Sequence, residues 1–292
     1  MCDRKSMRFR EVDARSIFVQ SALPDAEYVA NPYIGCRFGC RYCYASFMGR
    51  TVGERRSEWG AYVVAKRNAV SLARETLQRW RRRAFAPSLL LSSVTDPYQG
   101  IERRLRLTRG ILEALVDDGY GGMVGVLTKS PLVMRDLDLL IRLKRCEVGL
   151  TVTTDDERRA RWLESRAPST KSRLRALAAV AQAGVPTYAF IGPLLPEYVN
   201  DPERLRPLAS AIATTGTNEV YVEALNTARR IAAQLADAAP GDEVPLAHAR
   251  PPTVEQGRAI KRLLREYGLS LRHDAILDHS SGAEHSDEGR ML

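Results

Sequence analysis

The 292-residue sequence has no apolar run close to the about 20 residues that a membrane-spanning helix needs. Its first ten residues, Met1–Arg10, lack the apolar stretch of a secretory signal. It contains only five cysteines, an odd number and too few to form a disulfide framework in a chain of this length. These deficits favour a cytoplasmic protein in a reducing compartment.

Compositional bias is also absent. With 45% hydrophobic and 27% charged residues, the composition is that of a globular protein, which argues against a disordered or fibrous chain. Lys and Arg number 44 against 35 Asp and Glu, for a net charge of +9. The excess basic residues either form Arg-rich helix faces in contact with water or attract a polyanion such as nucleic acid. The net charge alone does not decide between these two interpretations.

Short β-branched runs alternate with amphipathic stretches about every 30 to 35 residues, the pattern of repeated βα units around a parallel sheet. The predicted strands are Tyr28–Tyr33, Ser88–Val94, Met123–Leu127, Glu147–Thr153, Pro186–Ile191 and Glu219–Glu223. The predicted helices are Ala65–Arg82, Thr108–Asp118, Leu132–Leu143, Lys171–Ala183, Pro202–Thr214 and Thr253–Tyr267. No Gly-x-Gly-x-x-Gly follows any strand, which argues against a Rossmann sheet.

Six such units predict an α/β fold of the partial (β/α)6 barrel type, open on one side, with its site at the carboxyl ends of the strands. We expect the core over residues 28–230, after an N-terminal extension at 1–27. Residues 231–292 are expected to form a linker, a helix and a polar tail that frays from His279.

The segment Asn31–Tyr44 reads NPYIGCRFGCRYCY and forms a loop that Gly35 and Gly39 allow to curl. Its thiols, in a CxxxCxxC spacing, are Cys36, Cys40 and Cys43. Three thiolates hold three irons of a [4Fe–4S] cluster and leave the fourth iron open to a ligand. Zinc is the competing interpretation, but a structural zinc site needs four ligands. No second CxxC exists, and all four histidines lie from His248 onward.

At these residues the chain resembles the radical S-adenosylmethionine superfamily, whose hallmark is this spacing with an aromatic residue, here Tyr42, before the third cysteine. It is more narrowly similar to the spore photoproduct lyase-like branch over residues 31–223, also through Thr95–Gln99 (TDPYQ) and Leu127–Ser130 (LTKS). The resemblance implies a [4Fe–4S] cluster and S-adenosylmethionine, whose reductive cleavage releases a 5′-deoxyadenosyl radical. It also implies an electron donor such as flavodoxin or ferredoxin.

The resemblance further assigns contacts with the cofactors. The implied contacts of S-adenosylmethionine are Tyr42, Thr95, Asp96, Lys129, Ser130, Thr151 and Arg173. Asp96, with Thr95, is implied to meet the methionyl amino group, and an Asp-Pro turn is the alternative. Lys129 is implied to neutralise the methionyl carboxylate and Thr151 to contact the ribose.

Three charged residues before and on the fourth helix have open interpretations. Arg173 is implied to reach the bound carboxylate or ribose, with a solvated arginine as the alternative. Glu164 and Arg166 are interpreted as a surface ion pair rather than as part of the substrate side.

The chain departs from the lyases at one position. Those enzymes carry a cysteine near the end of the second strand that returns a hydrogen atom to the product radical, whereas this sequence reads LSSVT over Leu91–Thr95. Tyr42 and Tyr44 match the tyrosines implied to relay that hydrogen, which makes them the candidate catalytic residues. Cys146, at the amino end of the fourth strand, is interpreted as a core cysteine, and Cys2 as uninvolved.

Two classes of function follow. The first is a radical enzyme of lyase or transferase type that abstracts hydrogen in a tailoring or biosynthetic reaction on a nucleoside or other small metabolite, or alternatively repairs DNA as spore photoproduct lyases do. The second is a non-catalytic iron–sulfur or zinc module that holds nucleic acid. The motif at Thr95–Gln99 and the residue Lys129 argue against the second class.

Overall fold

The computed structural model describes residues 7–227, 229–236 and 246–278. Cys2, residues 237–245 of the predicted linker and the predicted tail from His279 lie outside the described residues. The described chain divides into two compact units. The first comprises residues 7–39 and 45–148, and the second comprises residues 40–44 and those from 149 onward.

The first unit holds two groups of strands. These are β1 Arg8–Val12, β2 Phe18–Gln20, β3 Tyr28–Ala30, β4 Tyr33–Ile34, β5 Tyr62–Lys66, β6 Leu89–Leu91 and β7 Val124–Thr128. One group is a sheet in the order β1-β5-β4, in which β5 runs parallel to β1 and antiparallel to β4. The other follows the order β2-β3-β6-β7, parallel except for the pair β2 and β3.

The helices of the first unit pack closely where glycine permits it. They are α1 Ala69–Arg82, α2 Glu102–Leu105, α3 Leu107–Asp118 and α4 Leu137–Leu140, with 3-10 helices at Tyr44–Val52, Arg56–Glu58 and Pro131–Asp136. A Cβ on Gly110 of α3 would lie 2.6 Å from a methyl group of Val70 on α1. The missing side chain therefore lets α1 and α3 approach.

The second unit continues the βα alternation. Its strands are β8 Cys146–Thr151, which begins in the first unit, β9 Thr187–Leu194, β10 Glu219–Ala224 and β11 Ser270–Leu271. Their order is β8-β9-β10-β11, and β10 is parallel to both β9 and β11. The helices are α5 Glu157–Leu163, α6 Thr170–Gln182, α7 Pro196–Asn200, α8 Arg206–Ala213, α9 Arg229–Ala232 and α10 Val254–Glu266, with 3-10 helices at Pro202–Leu205, Leu246–His248 and Arg272–Asp274.

Strand alternation divides the two faces of the second unit. On β10, Val220, Val222 and Ala224 are buried in an aliphatic core, whereas Glu219, Tyr221 and Glu223 occupy the opposite face. The second face is polar and aromatic, which suits a site rather than a core.

The predicted α/β class with a largely parallel sheet is confirmed. Five of the six predicted strands are present with ends that differ by a few residues, whereas the predicted strand Tyr28–Tyr33 is divided into β3 and β4, which belong to different sheets. The predicted helix Ala65–Arg82 begins instead at Ala69, because Tyr62–Lys66 forms strand β5. Helix α5 was not predicted. In the part of the chain that the structure describes, no helix combines the length and the apolar character needed to span a membrane.

Candidate active site

The cysteine loop joins β4 to the 3-10 helix Tyr44–Val52 and is shaped by glycine. Gly35 has φ +85°, and a Cβ there would lie 2.6 Å from the carbonyl oxygen of Tyr62. The amide of Gly39 donates to the Cys36 carbonyl at 3.3 Å, and the amide of Cys43 donates to the Cys40 carbonyl at 3.2 Å. These short-range bonds curl the loop as the sequence predicts.

The donor set suits an iron–sulfur cluster. Cys36 and Cys40 are buried and Cys43 is half-buried, and thiolates are the ligands that such clusters take. Across the described ranges, no three histidine, cysteine or acidic side chains are already arranged as a metal site. The fit therefore rests on the chemistry of three closely spaced thiols, and their assignment as ligands stays a prediction.

In the first unit, the TDPYQ motif supports the cysteine loop. The Thr95 hydroxyl donates to the Gly35 carbonyl at 2.6 Å, and the Gln99 amide donates to the same oxygen at 3.1 Å. Gln99 also accepts from the amide of Arg37 at 2.9 Å. The resemblance implies a cofactor contact for Thr95 but assigns no role to Gln99, although the same motif contains both residues. The contact of Thr95 with the cofactor stays a prediction.

Asp96 ties the ends of β6 and β7 together. Its buried carboxylate accepts from the amide of Tyr98 at 2.8 Å, the hydroxyl of Thr128 at 2.7 Å and the amide of Lys129 at 2.8 Å. Burial raises the pKa of Asp96 above its ordinary value, while these hydrogen bonds oppose the rise. The alternative of an Asp-Pro turn therefore describes only part of its role, because two of the three donors lie on the next strand.

Lys129 and Ser130 follow directly after this junction. The Ser130 hydroxyl accepts from the amide of Leu132 at 3.2 Å and so caps the 3-10 helix Pro131–Asp136. Lys129 is half-buried. The structure thus brings Asp96, Lys129 and Ser130 to one strand end, and their predicted contacts with S-adenosylmethionine stay predictions.

The stretch after β6 carries hydroxyls instead of a thiol. Ser92 is buried with φ +70° and donates to the Ala30 carbonyl at 3.4 Å. Cys146 starts β8, at the opposite end of its strand from Thr151, and is buried. Burial raises the pKa of the Cys146 thiol to about 12, so it stays protonated at neutral pH, as the interpretation as a core cysteine requires.

In the second unit, Tyr42 belongs to a buried polar network. Its hydroxyl donates to a carboxylate oxygen of Glu164 and lies 3.3 Å from Oγ1 of Thr153. The other oxygen of Glu164 accepts from Arg173. Burial, together with the charges of Glu164 and Cys40, raises the pKa of Tyr42 well above its ordinary value, so the phenol stays protonated.

Two interpretations of charged residues are wrong. Glu164 is only 2% exposed and pairs with Arg173, so it does not belong to a surface ion pair. Arg173 is 1% exposed, which excludes the solvated alternative. The structure places Arg173 next to Thr151, whose carbonyl accepts from the guanidinium at 3.3 Å. The sequence signal that could have located Glu164 is the spacing of the buried residues Ala160 and Leu163 in α5, because Glu164 directly follows this helix.

Tyr44 differs from Tyr42 in its surroundings. It is 38% exposed, yet desolvation raises the pKa of its phenol, with the charges of Cys43 and Glu223 adding to the rise. Its partial exposure leaves the phenol accessible to a bound molecule. Tyr44 is therefore suited to meeting a substrate, and its catalytic role stays a prediction.

Comparisons with known proteins agree with this geometry. Residues 30–209, more than half of the chain, match the family model of the Radical SAM superfamily. An uncharacterized protein of Methanocaldococcus jannaschii is 34% identical over 190 residues, which is 65% of this chain and 69% of that protein. An uncharacterized protein of Mycobacterium tuberculosis is 33% identical over 215 residues, 70% of this chain but only 60% of the relative's length.

Solved structures show the fold. A spore photoproduct lyase mutant matches with a TM-score of 0.66 at 18% identity, covering 90% of this chain and 81% of that chain. A spore photoproduct lyase complexed with dinucleoside spore photoproduct matches with a TM-score of 0.65, also at 18% identity, with the same coverage. These likenesses confirm the predicted barrel of the radical S-adenosylmethionine type. With the family match, they establish that the chain belongs to the radical S-adenosylmethionine superfamily, whose cofactors are a [4Fe–4S] cluster and S-adenosylmethionine.

Proposed function

We propose that this radical enzyme abstracts hydrogen from a nucleoside or another small metabolite in a tailoring reaction. Cys36, Cys40 and Cys43 hold the cluster, and a flavodoxin- or ferredoxin-type protein supplies the electron. The bound cluster and S-adenosylmethionine together supply the 5′-deoxyadenosyl radical that attacks the substrate. The chain's own residues position these groups: Asp96 and Lys129 receive the methionyl moiety, and Tyr44 faces the substrate.

The observation that carries the proposal is the chemistry at the end of β6. A returning hydrogen atom needs a weak bond to the donor atom, and a serine O–H is too strong to replace a thiol. Ser92 is additionally committed to the Ala30 carbonyl. Among the described residues beyond the three predicted ligands, Cys146 is the remaining cysteine, and it is buried at the amino end of β8. A reaction that ends without a thiol donor fits these residues better than repair of a thymine dimer.

Repair of a DNA photoproduct is the second candidate, favoured by the fold shared with spore photoproduct lyase and by the net charge of +9. Both observations support repair less strongly than the missing thiol argues against it. One fold can host many different reactions, and a net positive charge does not identify a substrate.

The first experiment tests radical generation. After anaerobic reconstitution, dithionite and S-adenosylmethionine should yield 5′-deoxyadenosine. Cys40→Ala should abolish the product, whereas the matched variant Cys146→Ala should retain it. Product formation by Cys40→Ala at the wild-type rate, or none by the wild type, would contradict the proposal and favour a binding module.

The second experiment separates the substrates. Deuterated nucleosides are offered one at a time, and deuterium in 5′-deoxyadenosine identifies the attacked carbon. The dinucleoside spore photoproduct is run in parallel. Conversion of that compound to thymidine units, with no transfer from any nucleoside, would overturn the tailoring proposal in favour of repair.

A further inference from the structure

The end of helix α5 is fastened to the middle of the cysteine loop. The amide of Arg41 donates to the Leu163 carbonyl at 2.9 Å, and Nε of Arg41 donates to the Trp162 carbonyl at 3.1 Å. The same guanidinium lies 4.6 Å from the centre of the Trp162 ring, within cation–π range. Three independent contacts thus hold one loop residue between Cys40 and Cys43.

A fourth contact joins the residues that follow Arg41 and Leu163 in the chain. Glu164 follows Leu163 and accepts from the hydroxyl of Tyr42, which follows Arg41. Oγ1 of Thr153 lies 3.0 Å from the same carboxylate oxygen and 3.2 Å from the Gly192 carbonyl oxygen, so its single proton is shared between these two acceptors. The loop is therefore held not by α5 alone but also by the segments that follow β8 and form β9.

Arg173 balances the charge of this arrangement. Its Nη2 donates to the second oxygen of Glu164, its Nε to the Pro168 carbonyl at 2.8 Å and its Nη1 to the Thr151 carbonyl at 3.3 Å. Both members of the pair are almost completely buried. Losing Glu164 would leave Arg173 as an uncompensated charge in a medium of low polarity.

The pair lies beside the segment that carries two predicted iron ligands, because Glu164 accepts from Tyr42, which lies between Cys40 and Cys43 in the chain. Burial lowers the pKa of Arg173, but the opposing effects, of which the charge and the hydrogen bond of Glu164 are the largest, leave that pKa raised. The guanidinium therefore stays charged, and Glu164 is the carboxylate that offsets this charge beside the segment from Cys40 to Cys43.

We infer that Glu164 is a positioning residue that fixes the segment from Cys40 to Cys43 through Tyr42 and cancels the charge of Arg173 beside it. The inference rests on the proposed function in one respect, that this segment carries the cluster. It assigns Tyr42 to positioning, because its O–H points at Glu164, and it leaves Tyr44 as the tyrosine that faces the substrate.

The first test uses protein without a cluster. In Glu164→Gln the side chain keeps its size but loses the charge that Arg173 needs, so the loop loosens. Limited trypsin digestion should cut after Arg41 several-fold faster than in the wild type. The matched control is Asp136→Asn, which removes a fully buried carboxylate paired with Arg109 and Arg135 in the first unit. It should leave cleavage after Arg41 unchanged.

The second test measures the midpoint potential of the reconstituted cluster by spectroelectrochemical titration. Glu164→Gln should raise the potential, because the uncompensated guanidinium favours the more negative, reduced cluster. The double variant Glu164→Gln/Arg173→Met, which removes both charges, should return the potential towards the wild-type value.

The two tests distinguish a failure of the role inferred for Glu164 from a failure of cluster binding. Wild-type cleavage after Arg41 together with a wild-type potential in Glu164→Gln would overturn the inference and make Glu164 a mere core residue. A wild type that binds no cluster would defeat the proposed function, while the trypsin result would still decide whether Glu164 holds the loop.

Discussion

Lys66 on β5 carries an amine in the interior of the first unit. It is 1% exposed, and no carboxylate of the described residues pairs with it. Burial lowers the pKa of Lys66 to about 8 from an ordinary 10.5. Since each pKa unit is worth about 1.4 kcal/mol, the charged form is disfavoured in the fold by on the order of 3 kcal/mol.

Replacing Lys66 with Met should stabilise the protein at pH 7. The folded pKa lies below the unfolded one, so the unfolded wild type binds more protons between the two values and wild-type stability rises from about pH 8 to about pH 10.5. The gain from Lys66→Met should be about 1 to 3 kcal/mol at pH 7 and shrink over that window. Urea unfolding of cluster-free protein at pH 7 and pH 10 measures it. A gain that is the same at both pH values would contradict the assigned pKa.

Gly35 shows a second effect of a single residue. Gly35→Ala places a Cβ against the Tyr62 backbone at φ +85°, whereas Gly53→Ala meets nothing within 4 Å at φ +74°. The left-handed backbone alone costs about 1 to 3 kcal/mol, so both variants lose stability. We expect only Gly35→Ala to lose bound iron after reconstitution, as an iron assay would show. Equal iron loss in both variants would mean that the close approach to Tyr62 is unimportant.

At the scale of elements, α5 depends on its cap. Asp156 accepts from the amides of Arg158 at 2.8 Å and Arg159 at 3.2 Å, and these hydrogen bonds lower its pKa. Asp156→Ala should destabilise the protein by about 1 kcal/mol, while Asp156→Asn, which keeps an acceptor oxygen, should lose less. The pKa of Asp156 is lower in the folded than in the unfolded protein. The part of the stabilisation that depends on its charge is therefore fully present above the unfolded pKa of about 3.9, and it is lost as the pH falls through the folded pKa.

Urea titrations of the wild type and both variants at pH 7 and in acid measure this cap. The wild type and Asp156→Asn should converge at low pH. If Asp156→Ala matched the wild type at pH 7, the amino end of α5 would contribute nothing to stability, and α5 would depend on its contacts with Arg41 and Tyr42.

Prediction from sequence worked at this scale where one local pattern sufficed. The apolar runs gave strands β3 and β6 to β10, because side chains buried on both faces leave a continuous hydrophobic signature. It failed at Tyr62–Lys66, since five buried residues adjoining an amphipathic helix extend the helical pattern. Helix α5 is rich in arginine, and its few apolar positions did not stand out.

At the scale of the whole molecule, the net charge of +9 governs contact with polyanions. For a tailoring enzyme we expect only non-specific binding of single-stranded DNA, with dissociation constants of about 10⁻⁴ to 10⁻⁶ M and a steep decrease in affinity with salt. Fluorescence anisotropy of a labelled oligonucleotide between 50 and about 200 mM salt measures this. Tight binding that persists at the higher salt would favour repair.

The sequence by itself determined the chemistry and the class of fold. Three thiols in eight residues predict an iron–sulfur ligand set, and the βα period predicts the parallel sheet that the structure shows, because both signals lie in short-range spacing. Only the tertiary structure decided that Thr95 and Gln99 support the loop at Gly35, or that Glu164 joins Tyr42 to Arg173. Those contacts join residues far apart in the chain, and the free energy of a buried charge depends on which partner the fold brings to it.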